Sequence, residues 1–151
     1  MLLFLFGAIF MAVFVWWVMP KIMVTKHLSK LPFDETVDYL SQEFTQNRWQ
    51  VPKVYDIQNS LQKAGHSEMG RLKIISTCHP DHANEILSDE SCKFVSAMMP
   101  CRISVYENAK GDVTIAQMNV SVMSKMFGGL IQRVMSDVAK EEKKIVQKIL
   151  Q

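Results

Sequence analysis

The sequence predicts an α+β domain, an antiparallel sheet gripped by a long C-terminal helix, carried on a single N-terminal transmembrane helix. Three stretches lead to that class. Residues 1–20, MLLFLFGAIFMAVFVWWVMP, hold no charged side chain. Residues 101–107 (CRISVYE) and 112–120 (DVTIAQMNV) read as two strands around Asn108-Ala109-Lys110-Gly111, a turn in which Gly111 supplies the unusual backbone angle. Residues 121–150 place Met123, Phe127, Leu130, Val134, Val138, Ile145 and Ile149 on one helical stripe.

At a rise of about 1.5 Å per residue, the opening run would reach roughly 30 Å as a helix, the thickness of a bilayer's hydrocarbon core. A secretory signal peptide would need a basic start, a shorter apolar run and small residues at its end. Here the run ends in Trp16-Trp17-Val18-Met19-Pro20. It is therefore expected to stay attached as a single-pass anchor in the cell membrane, in contact with lipid. Trp16 and Trp17 suit the headgroup level, and Lys21, Lys26 and Lys30 follow in the aqueous flank. Those lysines favour a cytoplasmic domain, with the periplasmic side left open because they also border the first strand. Ala8 and Ala12, with Gly7 beside them, form a small-residue notch that would let the helix of an integral-membrane partner approach.

Residues 21–151 are the length of one domain. Residues 22–28 (IMVTKHL) read as its first strand. Phe33, Val37, Leu40 and Phe44 then recur at helical spacing, predicting a helix over 32–47 with Pro32 at its start and Asp34, Glu35 and Asp38 near its positive end. Residues 49–57 form a second extended segment, disfavoured as a central strand by Pro52. Residues 58–64 make a short helical turn closed by Gly65. Residues 71–77 (RLKIIST) are a strand that runs into Cys78-His79-Pro80-Asp81, where Pro80 is preorganised to start a helix buried through Ala83, Ile86 and Leu87. Residues 88–97 read as irregular. The final helix spans 121–150, capped by Ser121 or Ser124, with its charged run Lys140-Glu141-Glu142-Lys143-Lys144 on a solvated face. The order is β-α-β-β-α-β-β-α.

A net charge of +2 gives no case for nucleic-acid binding. Cys78, Cys92 and Cys101 are odd in number and form no C-x-x-C pair, which argues against a disulfide framework and leans to a reducing compartment. Of the 11 methionines, Met1, Met11 and Met19 lie in the opening run, and most of the others stand at apolar positions that Met fills well.

Residues 71–120 carry a resemblance. Cys78-His79-Pro80 after a strand, and above all Met99-Pro100-Cys101-Arg102-Ile103-Ser104-Val105-Tyr106-Glu107, resemble the bacterial and archaeal family known as domain of unknown function 302. The Phe33-Asp34-Glu35-Thr36-Val37 helix start and the Tyr55-Asp56-Ile57-Gln58 segment extend the likeness from about residue 22 to the final helix. It implies a TATA-binding-protein-like, helix-grip arrangement for residues 21–151 and no established activity. Family members often carry Asn-Pro where this chain has His79-Pro80, so imidazole replaces the usual cap.

That departure sharpens one constellation. Cys78, His79 and His82 place a thiol and two imidazoles at a strand end and the first turn of a helix, whose dipole would lower a thiol pKa. Together they could hold a metal ion, with His66, Cys101 or Met99 as a further ligand. The plainer reading makes Cys78 and Cys101 small buried hydrophobes on neighbouring strands and the histidines exposed loop residues. No cofactor is expected. No G-x-S-x-G, P-loop or H-E-x-x-H motif is present, and Arg102 and Glu107 fall on opposite faces of one strand, so catalysis is not expected; the enzymatic alternative is a thiol reaction through Cys78. Two functions remain: a membrane-anchored, non-catalytic accessory subunit of a membrane protein complex, such as a respiratory or redox assembly, or a module that binds a small ligand, thiol or metal in the groove under the final helix or at the Cys78/His79/His82 corner.

Overall fold

The hairpin around Gly111 is the local nucleus of the sheet. Asn108 Oδ1 accepts the Lys110 and Asp112 amides at 2.8 and 3.0 Å, and Gly111 takes φ 84°, a left-handed value that glycine adopts without steric cost. In the computed structural model, which describes residues 2–66 and 68–151 (backbone alone for 2–5, 8 and 9), this turn joins β4 (Cys101–Glu107) to β5 (Val113–Met118). β1 (Val24–Leu28) pairs with the far edge of β5, while β3 (Leu72–Cys78) and then β2 (Gln50–Asp56) extend the other side. The order is β1-β5-β4-β3-β2, and every pair is antiparallel. Pro52 lies on the edge strand β2, where the register shifts between Gln50 and Lys53, as a residue without an N–H requires.

One face of the sheet presents Ile75, Ile103, Val105 and Ile115, all fully buried. The helix α2 (Phe33–Gln46) lays Phe33, Val37, Leu40 and Phe44 against it, on the predicted spacing. The remaining helices are α3 (Ile57–Lys63), α4 (Pro80–Leu87), α5 (Val120–Ser124) and α6 (Gly129–Val146). From α6, Val138, Ile145 and Val146 join the main core, while Ile131 and Val134 close a second apolar cluster with Ile86, Cys92 and Val95. The C-terminal residues return to β1, where the Gln151 amide donates to the Leu28 carbonyl at 3.0 Å.

The architecture is the expected α+β one, with three corrections inside it. The predicted helix over 121–150 is two helices, because Gly128 and Gly129 take φ values of 70° and 54° and turn the chain between α5 and α6. Asn119, not Ser121 or Ser124, caps the first of them through the Val122 amide. Residues 88–97, expected to be irregular, contain a 3-10 helix, Glu90–Met98, whose inner side chains Cys92 and Val95 pack under α6.

The opening run is the first helix, α1 (Leu2–Met23), which continues through Pro20 and delays the first strand to Val24. The transmembrane span expected over residues 1–20 is not supported: among the described residues no helix is long and apolar enough to cross a membrane. Phe10, Met11, Val13, Phe14, Trp16 and Trp17 are nonetheless exposed. Of the predicted packing notch, Gly7 faces open space, Ala12 is exposed, and the Ala8 side chain lies outside the described residues.

Candidate functional site

Three polar side chains meet where the start of α4 passes beneath the last turns of α6. Pro80 opens α4 with its fixed φ, which places His79 at the N-cap and His82 one turn on. Their rings lie 4.4 Å apart, and Trp49 closes the far side of His79 edge-on at 5.5 Å. From α6, Glu141 reaches down between them. Its Oε1 is 3.1 Å from His82 Nε2, its Oε2 is 4.0 Å from His79 Nε2, and the Trp49 indole N–H donates to Oε2 at 3.2 Å. His79, His82 and Glu141 thus offer three ligand atoms within 4.8 Å of one another.

Of the predicted trio, His79 and His82 come together, and Cys78 does not join the ligand group. Cys78 instead lines the narrow cleft beside them together with Cys101 and Met99. Burial raises the Cys78 thiol pKa, where the helix dipole was expected to lower it, so desolvation outweighs α4's positive end. The same cause pushes Cys101 up to about 12, aided by negative charge at Glu142. Both are inert thiols in the sense that neither is poised as a thiolate. His79 and His82 are mostly buried, not exposed loop residues, and His79 Nδ1 has no hydrogen-bond partner among the described residues. His66 is exposed in the turn after α3, away from this cluster.

Glu141 and Glu142 are the residues that the sequence reading missed. The charged run 140–144 is not a wholly solvated face: Glu142 is 3% exposed, and Glu141 serves Trp49 and His82. The signal was the stripe itself. Between Val138 and Ile145 a seven-residue gap must bring one more turn inward, and at steps of three and four that turn is Glu141 and Glu142. Burial pushes the Glu142 carboxyl up to about 7, and it makes no side-chain hydrogen bond or ion pair among the described residues.

Glu142 stands in the wall between two cavities. One, of about 290 Å³, is lined largely by apolar side chains including Met98, Met99, Met118, Met123 and Met135. The other, of about 340 Å³, runs between β1, β5 and α6 past Thr25, Gln117 and Val146. Gln117 Oε1, buried on that side, also lacks a hydrogen-bond partner among the described residues.

A five-stranded antiparallel sheet in this order, covered on one face by α2 and α6, defines an α+β domain whose polar groups converge beneath α6. The chain belongs to the domain of unknown function DUF302 family, whose model matches residues 24–151. The fold is shared with the crystal structure of an uncharacterized conserved DUF302 protein from Bacillus stearothermophilus. That structure superposes with a TM-score of 0.75 at 18% sequence identity, covering 84% of this chain and 98% of the other. No curated protein matches the sequence.

Proposed function

We propose that this protein is a membrane-held, non-catalytic accessory domain: α1 seats among acyl chains beside an integral-membrane partner, and the DUF302 domain is presented at the membrane face of that partner's complex. The observation that carries this reading is the apolar surface of α1. Phe6, Phe10, Phe14, Trp16 and Trp17 are more than half exposed, so the domain's own core does not cover them. Lys21 Nζ lies 3.9 Å from the Trp17 ring centroid, a cation and an amphipathic ring side by side, as suits the headgroup level.

The junction supports presentation over free tethering. Asn119 donates its side-chain amide to the Ile22 carbonyl at 2.9 Å and its backbone N–H to the Met23 carbonyl at 2.7 Å, so the end of α1 is clamped to the sheet with no linker between them. Alkaline carbonate extraction of membranes from expressing cells tests the attachment: the full chain stays in the pellet, and release into the supernatant refutes it. A photocrosslinker at Ala12 tests the partner, with a discrete protein adduct expected and lipid adducts alone counting against a subunit role.

The geometry of His79, His82 and Glu141 favours a second reading, a site for a divalent first-row metal ion such as zinc. Two imidazoles and one carboxylate oxygen leave a coordination position open, and the Trp49 N–H on the other carboxylate oxygen would orient the ligand. Titration of metal-free protein with zinc should give one site that is lost in His82→Ala; no stoichiometric binding removes this reading.

A further inference from the structure

The cavity at the Gly128–Gly129 end of α6 is a container with one polar group in its wall. Five methionines and Phe127 give it a lining that adapts to unbranched apolar chains. Its volume of about 290 Å³ is at the low end of small-ligand sites and too small for a two-chain lipid. Facing it is Glu142, a side chain only 3% exposed that forms no hydrogen bond or ion pair among the described residues. Such a group is costly to bury without a partner.

We propose that this cavity binds a single-chain alkylamine, the chain lying among the methionines and the ammonium group paired with Glu142. The choice follows from what each kind of ligand would do to the carboxyl. A fatty acid would set a second carboxylate against it. A hydrocarbon would leave it unpaired. An ammonium ion supplies both the missing donors and the opposite charge. The other titratable groups on the two cavities are Cys101 and Arg102 of β4, His27 of β1 and Lys143 of α6, and none of them forms an ion pair with Glu142. This inference does not depend on membrane attachment or on the metal site.

The test uses full-length protein in lipid nanodiscs with methyl-labelled methionine, titrated at pH 8 with octylamine, octanoate and 1-octanol. Octylamine is expected to shift the Met123 and Met135 methyl signals and leave that of Met69, outside the cavity, unmoved. Octanoate should bind at least tenfold more weakly. In Glu142→Gln, octylamine affinity should fall at least tenfold while 1-octanol still enters, which also shows that the variant cavity is intact. Unmoved cavity methyls, equal binding of octanoate and octylamine to the native protein, or undiminished octylamine binding by Glu142→Gln would each overturn the proposal.

Discussion

The Trp49 indole N–H donates to Glu141 Oε2 at 3.2 Å, tying the residue that precedes β2 to the C-terminal half of α6 across 92 positions of sequence. Trp49 is 3% exposed and packs edge-on to Phe44 at 5.2 Å, so the bond is made at the rim of the main core. Trp49→Phe keeps most of the ring burial and removes the donor. A hydrogen bond to a charged group contributes about 1.5–3 kcal/mol, and a loss of that order is expected in urea unfolding. If Trp49→Phe unfolds at the native midpoint, the bond contributes nothing to holding α6 in place.

Asn119 serves two helices at once, capping the start of α5 and closing the end of α1. Asn119→Ala removes both side-chain bonds, and loss of an N-cap alone costs about 1 kcal/mol. Faster hydrogen exchange is expected at the Val122 amide, with the amides of β4 unchanged. Uniform acceleration across the sheet would mean that Asn119 supports the whole fold and not the junction.

Glu142 makes stability depend on pH with a definite sign. Its folded pKa of about 7 lies above the ordinary 4.5, so the folded state holds a proton that the unfolded state releases. The stability it permits is complete below about pH 4.5 and declines as pH rises to about 7, after which it levels off. At about 1.4 kcal/mol per pH unit, the loss is on the order of 3 kcal/mol. Glu142→Gln, which cannot ionise, should lack this decline and be the more stable form at pH 8. Parallel curves for the two proteins between pH 5 and 8 would show that Glu142 finds a cation when the domain is in solution.

Gly128 combines φ 70° with ψ −177°, a region essentially confined to glycine. Gly128→Ala has open space for its new methyl group, so any penalty is backbone strain alone. A destabilisation of about 1–3 kcal/mol is expected in thermal or urea unfolding. A neutral result would mean that the α5–α6 turn relaxes without cost.

Much of the fold was legible because its signals are local. The Phe33, Val37, Leu40 and Phe44 spacing, the Asn108 turn and Pro80 at a helix start each act within a few residues, and each appears where the pattern placed it. The division of the last helix was also written locally, in Gly128-Gly129, but the apolar stripe continues through it at Phe127 and Leu130 and hides the break. The site was half legible. His79 and His82 share one helical turn and declare themselves by spacing. Glu141 reaches them from 59 residues further along the chain, and a charged run gives no reason to look inward.

By itself the sequence determined most of the elements and the apolar character of the opening helix, since periodicity, turn chemistry and hydropathy are properties of neighbours along the chain. Only the tertiary structure decided that Cys78 lies outside the His79, His82 and Glu141 group, and that Glu142 is turned to the buried side of α6 between two cavities. The reason is physical. Burial of a charged side chain is set by which surfaces the rest of the fold brings over it, and that depends on contacts between residues far apart in sequence.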